Sequence, residues 1–321
     1  FCSDGPPVAL FPYISPADPA GAWRKPPPGN EVFSGTYDPA TFAPGDYSYT
    51  VTGSGPCSAA VAVLHVSETL GPNSGQSALV TKCASDPAFE MAAAMGGSPD
   101  AGGTWKNPFG QVHPGTFVPG VDPPGVYLYT VAGVFPCTDK TSSLTVNVNP
   151  VPQAGGASSR TVCSSAPDLL LFAELSGAQP GGSWFDPVMA PFPSGIFSPG
   201  TSTPGLYTYR IIGAPPCGMA EGTVTVSVIT APNAGDASTV ALCQNGPAVQ
   251  LVNLLGGPHD LTGTWTGPAP SSGYFSGTFQ PGSSAPGVYT YKVHGIPPCP
   301  ADSSTVAVSV ALPPSAGLSR S

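Results

Sequence analysis

Charge is scarce in this chain. Of 321 residues, 9 are Lys or Arg and 18 are Asp or Glu, for a net charge of −9. Without a basic cluster there is no electrostatic footprint for nucleic acid, and no such partner is expected. No apolar run reaches the roughly 18 residues that mark a spanning helix, so no membrane span is expected. Asn-x-Ser/Thr sequons are missing, so N-linked glycosylation is not encoded. Equally absent are GxSxG, HExxH, a P-loop and an EF-hand loop. CxxC pairs and Cys–His spacings suited to zinc do not occur. The expectation is therefore no enzyme, no cofactor and no metal centre. The chain opens on Phe1 with no leader segment, which reads as a mature or excised form. Low charge does not mean disorder here, because 40% of the residues are hydrophobic. What is abundant is Gly (41) and Pro (43), and with them turns.

A period organises the rest. Cys2, Cys83, Cys163 and Cys243 recur every 80 or 81 residues, and Cys57, Cys137, Cys217 and Cys299 every 80 or 82. A Trp follows each first Cys by 21 or 22 residues: Trp23, Trp105, Trp184 and Trp265. A Gly-x-aromatic-x-Pro element recurs with Tyr37, Phe117, Phe197 and Phe279 at its centre. A Pro-Gly-x-Tyr-x-Tyr element places Tyr47, Tyr127, Tyr207 and Tyr289 ten residues before each second Cys. These are four copies of one module: 1–70, 71–150, 151–230 and 231–311, with a tail at 312–321.

Within a module the pattern has period 2, the mark of half-buried strands. Tyr47, Tyr49 and Val51 face one way, and Ser48, Thr50 and Thr52 the other. After the second Cys, Leu144, Val146 and Val148 alternate with Thr145, Asn147 and Asn149. A Gly/Pro-rich loop joins these strands into a hairpin. The apolar stretches Leu169 to Leu175 and Val249 to Leu255 fit either an inner strand or a short helical turn. The predicted fold class is all-β: four tandem immunoglobulin-like antiparallel β-sandwiches of about 80 residues. Trp23, Trp105, Trp184, Trp265 and Tyr47, Tyr127, Tyr207, Tyr289 are assigned as core anchors.

One Cys pair per module at constant spacing predicts one disulfide within each: Cys2–Cys57, Cys83–Cys137, Cys163–Cys217 and Cys243–Cys299. Such a bond would tie the first strand to the hairpin loop. Closing about 55 residues would contribute roughly 4 kcal/mol in the chain-entropy model. Disulfides imply an extracellular or periplasmic location.

Short Pro-rich hinges at 72–75, 152–155 and 232–235 separate the modules, too stiff for a floppy linker. They imply a semi-rigid rod. A fourth hinge at 314–317 follows the last module, although the first module lacks the strand that a hinge normally leads into. Two readings fit. The chain is a window of a longer array, or its tail (Leu312, Leu318, Ser319, Arg320 and Ser321) donates an edge strand to the next subunit. The second reading makes copies of the chain partners head to tail, in an open filament.

Other candidates are weaker. His65, His113, His259 and His294 occupy different repeat positions. His259-Asp260 resembles a base and its orienting partner only in sequence. Asp4, Asp18, Asp100 and Asp260 lie in loops, where turn formation is the favoured role over weak calcium binding. Each Trp could stack on a sugar, which makes a glycan-binding adhesin the runner-up. An accessory stalk of an enzyme would need a catalytic domain outside these residues.

The runs LGGxxDxxGTWxGP, GxFxPG, PGVYTYxVxGxxPCxADSSTVxVxV and PNAGxxxxxxLC, clearest over residues 254–310, resemble tandem repeats of very large surface proteins of gliding, Bacteroidetes-type bacteria. All four modules fit. The resemblance implies Ig-like modules, secretion (often through the type IX system) and an adhesive or structural role at the cell surface. It names no catalytic residue. The family's C-terminal sorting domain is not in the sequence, which points to a fragment or a released subunit.

Overall fold

The computed structural model describes residues 1–268, 273–315 and 317. The chain forms two compact units, Phe1–Val151 with Gly213–Gly218, and Pro152–Ile212 with Met219–Ser321. Both are built of strands. Helical turns among the described residues are the one-turn 3-10 segments Phe11–Ile14, Met91–Ala94, Leu171–Glu174 and Leu251–Leu254.

The second repeat shows the plan. Its main sheet has the order Val112–His113, Thr104–Lys106, Gly125–Val131, Lys140–Asn149, Ala78–Cys83. The hairpin pairs antiparallel, with Gly125 opposite Val146 and Val131 opposite Lys140. The opening strand Ala78–Cys83 runs parallel to the closing one, from Ala78 opposite Leu144 to Cys83 opposite Asn149. A small sheet of Phe89–Glu90 and Thr116–Phe117 covers the other face. Period-2 alternation does the sorting: Leu144 and Val146 are buried, and Asn147 is exposed. The apolar stretches that admitted two readings contain both. Leu169–Leu170 is a strand and Leu171–Glu174 a 3-10 turn, followed by Val249–Gln250 and Leu251–Leu254 in the last repeat.

An aromatic clamp recurs in every core. Trp23, Trp105, Trp184 and Trp265 sit opposite Tyr49, Tyr129, Tyr209 and Tyr291, with ring centroids 4.7–5.1 Å apart. A buried phenol needs partners. The Tyr129 hydroxyl accepts from Gly103 N at 2.9 Å and donates to the Asp100 carbonyl at 2.6 Å. Tyr49, Tyr209 and Tyr291 repeat both bonds. The first tyrosine of each pair donates at 2.8 Å to a carbonyl four residues upstream, at Ala43, Pro123, Thr203 and Ala285. This is the bond geometry of the tyrosine corner of Ig-like sandwiches.

The disulfides correct the intra-repeat expectation. They are Cys2–Cys137, Cys83–Cys217 and Cys163–Cys299, each spanning 134 to 136 residues, with Cα atoms 4.9 Å apart. Cys57 and Cys243, expected to be bonded, are free and exposed. Register explains why. Cys83 ends the opening strand opposite Asn149, whereas Cys137 lies in the hairpin tip before Lys140. Nine strand residues, roughly 30 Å, separate those ends, and a disulfide needs Cα atoms within about 7 Å. The first Cys of one repeat bonds instead to the second Cys of the next. A loop of this size contributes about 5 kcal/mol in the chain-entropy model.

Gly103 leaves no room for a Cβ, which would fall on the Tyr129 ring. Gly103→Ala is expected to lower stability by about 1–3 kcal/mol through overpacking, read as a lower midpoint in denaturant. An unchanged midpoint would remove the clamp from the stability argument.

Candidate functional site

Two features stand apart from the repeating core: an open sheet edge in the first repeat, and the two cysteines left without partners. In the second, third and fourth repeats a six-residue parallel strand covers the closing strand. In the first repeat, Ala60–Val66 pairs on one side with Gly45–Val51. On the other side, among the described residues, only a bridge between Cys2 and Thr69 lies beyond its end. The missing cover shows in the core. Leu144, Val224 and Val306 are 0% exposed, and Leu64 at the same position is half-buried. Val61 and Val63 on the outer face are each 63% exposed.

The bonded cysteines share two local settings. After the first Cys the chain turns, and its carbonyl accepts from the backbone three residues on: Gly5, Asp86 and Ala166. Gly246 does the same at Cys243, at 2.8 Å. A polar side chain two residues on approaches each of these sulfurs: Asp4, Ser85, Ser165, and Asn245 at 2.8 Å from Cys243 Sγ. At the hairpin tips, Cys137, Cys217 and Cys299 each donate N–H to the carbonyl three residues back. Cys57 makes that bond to Ser54 at 3.3 Å.

The other sequence candidates fall as follows. Trp23, Trp105, Trp184 and Trp265 are only 5–7% exposed. Tyr47, Tyr127, Tyr207 and Tyr289 are buried. The Asp100 and Asp260 carboxylates accept from the hinge amides of Asn73 and Asn233. Asp18 accepts from Ala20 N, and Asp4 pairs with Lys140 at 2.9 Å. These roles are structural and do not bring the four carboxylates together. Cys2, Asp4 and Cys137 do cluster, but the two sulfurs are bonded to each other and offer no thiolate for a metal. His259 Nδ1 lies 3.1 Å from the Gly257 carbonyl and does not engage Asp260. His65 pairs with Asp46, His113 lies against Asp122 and Tyr127, and His294 is exposed. Of the tail, Leu312 is exposed, whereas Leu318, Ser319, Arg320 and Ser321 lie outside the described residues. The edge beside Ala60–Val66 is where the sequence placed a missing strand, whereas the free thiols were not expected; their signal was the alternative pairing of each Cys with the next repeat.

Burial, reinforced by Asp122, pushes the Tyr127 phenol up to about 12. Burial likewise raises Tyr47, Tyr207 and Tyr289. Tyr37 rises furthest, through burial and its hydrogen bond to Glu68. The folded chain thus keeps phenol protons that the unfolded chain loses near pH 10. This contribution to stability is complete below pH 10 and is lost as pH climbs toward 12. Unfolding followed by circular dichroism and tyrosinate absorbance should show that decline; a midpoint flat from pH 9 to 12 would contradict it. Thiol titration of the unfolded, unreduced chain should find two free thiols, mapped to Cys57 and Cys243. A result of none, or a Cys83–Cys137 peptide, would overturn the pairing.

No family model matches the chain, and no curated protein does either. Among solved structures it is similar to the I-band fragment I67–I69 from titin, at 13% identity and a TM-score of 0.38, covering 76% of this chain and 100% of that one. It is also similar to the N-terminal four Ig domains of Dscam1 isoform 1.9, at 10% identity and a TM-score of 0.23, over 91% of each chain. Extracellular domains 3–5 of Drosophila OTK match at 13% identity and a TM-score of 0.26, over 75% of this chain and 96% of that one. These neighbours are tandem Ig arrays, and the Ig-like assignment here rests on the strand order and the tyrosine corner.

Proposed function

We propose that the chain is a structural protein of an extracellular filament, whose copies join head to tail by strand addition. The tail, residues 312–321, would lie along the open edge of Ala60–Val66 in the next copy, covering Leu64. The half-buried Leu64 carries this reading: an edge strand over an incompletely covered core position invites a further strand. A second feature supports it. The hinge glycines Gly75, Gly155 and Gly235 have φ of 76–79°, and each precedes an opening strand. Gly317 in the tail has φ 79°. Three disulfides fit an oxidising, extracellular compartment. The buried tryptophans give no support to a glycan-stacking face.

Negative-stain electron microscopy of the purified chain tests the proposal, beside a variant ending at Ala311. Fibres are expected from the full chain only. A synthetic peptide of residues 76–82, which carries the opening strand of the second repeat up to the residue before Cys83, should compete for the edge and shorten the fibres. Separate particles from both chains would overturn strand addition.

A further inference from the structure

We propose that Cys243 of one copy and Cys57 of the next form an intermolecular disulfide, which makes the assembly a covalent polymer. This rests on the head-to-tail reading above. The argument starts from the pairing rule. Every disulfide joins the first cysteine of a repeat to a hairpin-tip cysteine 134 to 136 residues ahead. Under that rule each repeat offers one sulfur forward and one backward. Cys243 is the forward sulfur of the last repeat, and Cys57 the backward sulfur of the first. Two complementary halves of one bond therefore sit on the same chain, as a heterologous, non-closing contact requires.

The second observation is local geometry. Both free cysteines make the backbone hydrogen bond of their bonded counterparts. The turn Gly246 N to Cys243 O, at 2.8 Å, matches those after Cys2, Cys83 and Cys163, at 2.9–3.0 Å. The Asn245 side chain stands beside Cys243 as Asp4 stands beside Cys2. Cys57 donates its N–H to the Ser54 carbonyl at 3.3 Å, as Cys137, Cys217 and Cys299 donate three residues back at 2.8–2.9 Å, although a cis X-Pro bond precedes only the latter three. The six bonded cysteines are buried or nearly so, whereas both free ones are exposed and open to an oxidant. The strand contact of the preceding subsection would bring the two ends together and raise their effective concentration.

The bond forms by thiol–disulfide exchange with a small-molecule disulfide. The Cys57 thiolate attacks one sulfur of that disulfide and expels a thiolate, leaving a mixed disulfide on Cys57. The Cys243 thiolate then attacks the Cys57 sulfur and expels the second thiolate. Two protein thiols are oxidised to one disulfide. The small disulfide is reduced to two thiols, which take up the two protons.

The test uses the full chain in an oxidised and reduced glutathione buffer, with C57S, C243S and the double variant. On a non-reducing denaturing gel the wild type is expected to give a ladder that reductant collapses to monomer. C57S alone and C243S alone should remain monomers. Mixed in equal amounts they should give dimer and nothing larger, because each supplies one half-bond. Peptide mapping of that dimer should find Cys57 joined to Cys243, with the other three bonds intact. No dimer in the mixture, or dimers from each single variant alone, would overturn the proposal. Failure of the strand reading is seen separately. If the staple is wrong and strand addition right, fibres appear in the microscope without a ladder. If strand addition is wrong and the staple right, a variant ending at Ala311 still gives the ladder.

Discussion

The parallel pairing of each opening strand with the closing strand of its own sheet is the constraint on which the rest depends. It fixes where the first cysteine ends up, at the far end of the sheet from the hairpin tip. Once the two cysteines of a repeat are held apart by the length of a strand, no side-chain adjustment unites them. The bonds must run between consecutive repeats. The long loops and the unbonded Cys57 and Cys243 go with that offset.

The cores solve a different problem with equal economy of residue types. A chain with few charges holds its loops through a handful of Asp carboxylates and, in every repeat, through tyrosine hydroxyl groups. The second tyrosine of each pair packs its ring on the tryptophan and uses its hydroxyl to fix the loop before the tryptophan strand. The first tyrosine closes the turn that leads into its own strand. The glycine before the tryptophan strand is required by that close approach. Packing and hydrogen bonding are thus joined in the same side chains, and burial also raises the phenol pKa of the first tyrosine of each pair.

Most of the fold was legible in the sequence. The 80-residue period, the hairpin strands and the inward face of the Tyr-x-Tyr segments are all written as simple alternation. The disulfide pairing was not, for a specific reason. In a periodic chain, bonding each first Cys to its own partner or to the partner one repeat on gives an equally constant spacing. Only the register of Cys83 opposite Asn149 separates the two, and register in a parallel pair has no short-range turn to announce it. Leu169 to Leu175 was ambiguous because a two-residue strand runs directly into a 3-10 turn. The edge beside Leu64 was legible as a missing strand but not as an incompletely buried core.

The offset of the bonds also sets how far the chain can be drawn out. Along the backbone, 297 residues separate Cys2 from Cys299, about 1,000 Å when fully extended. The shortest covalent route crosses from Cys2 to Cys137, follows 26 residues to Cys163, and crosses again to Cys299. That stretch spans only about 90 Å. Under tension the sulfur bonds take the pull, and most of the polypeptide hangs as slack loops beside the taut path. Until its disulfides are reduced, the chain between Cys2 and Cys299 cannot be drawn out beyond that path, even where individual sandwiches have come undone.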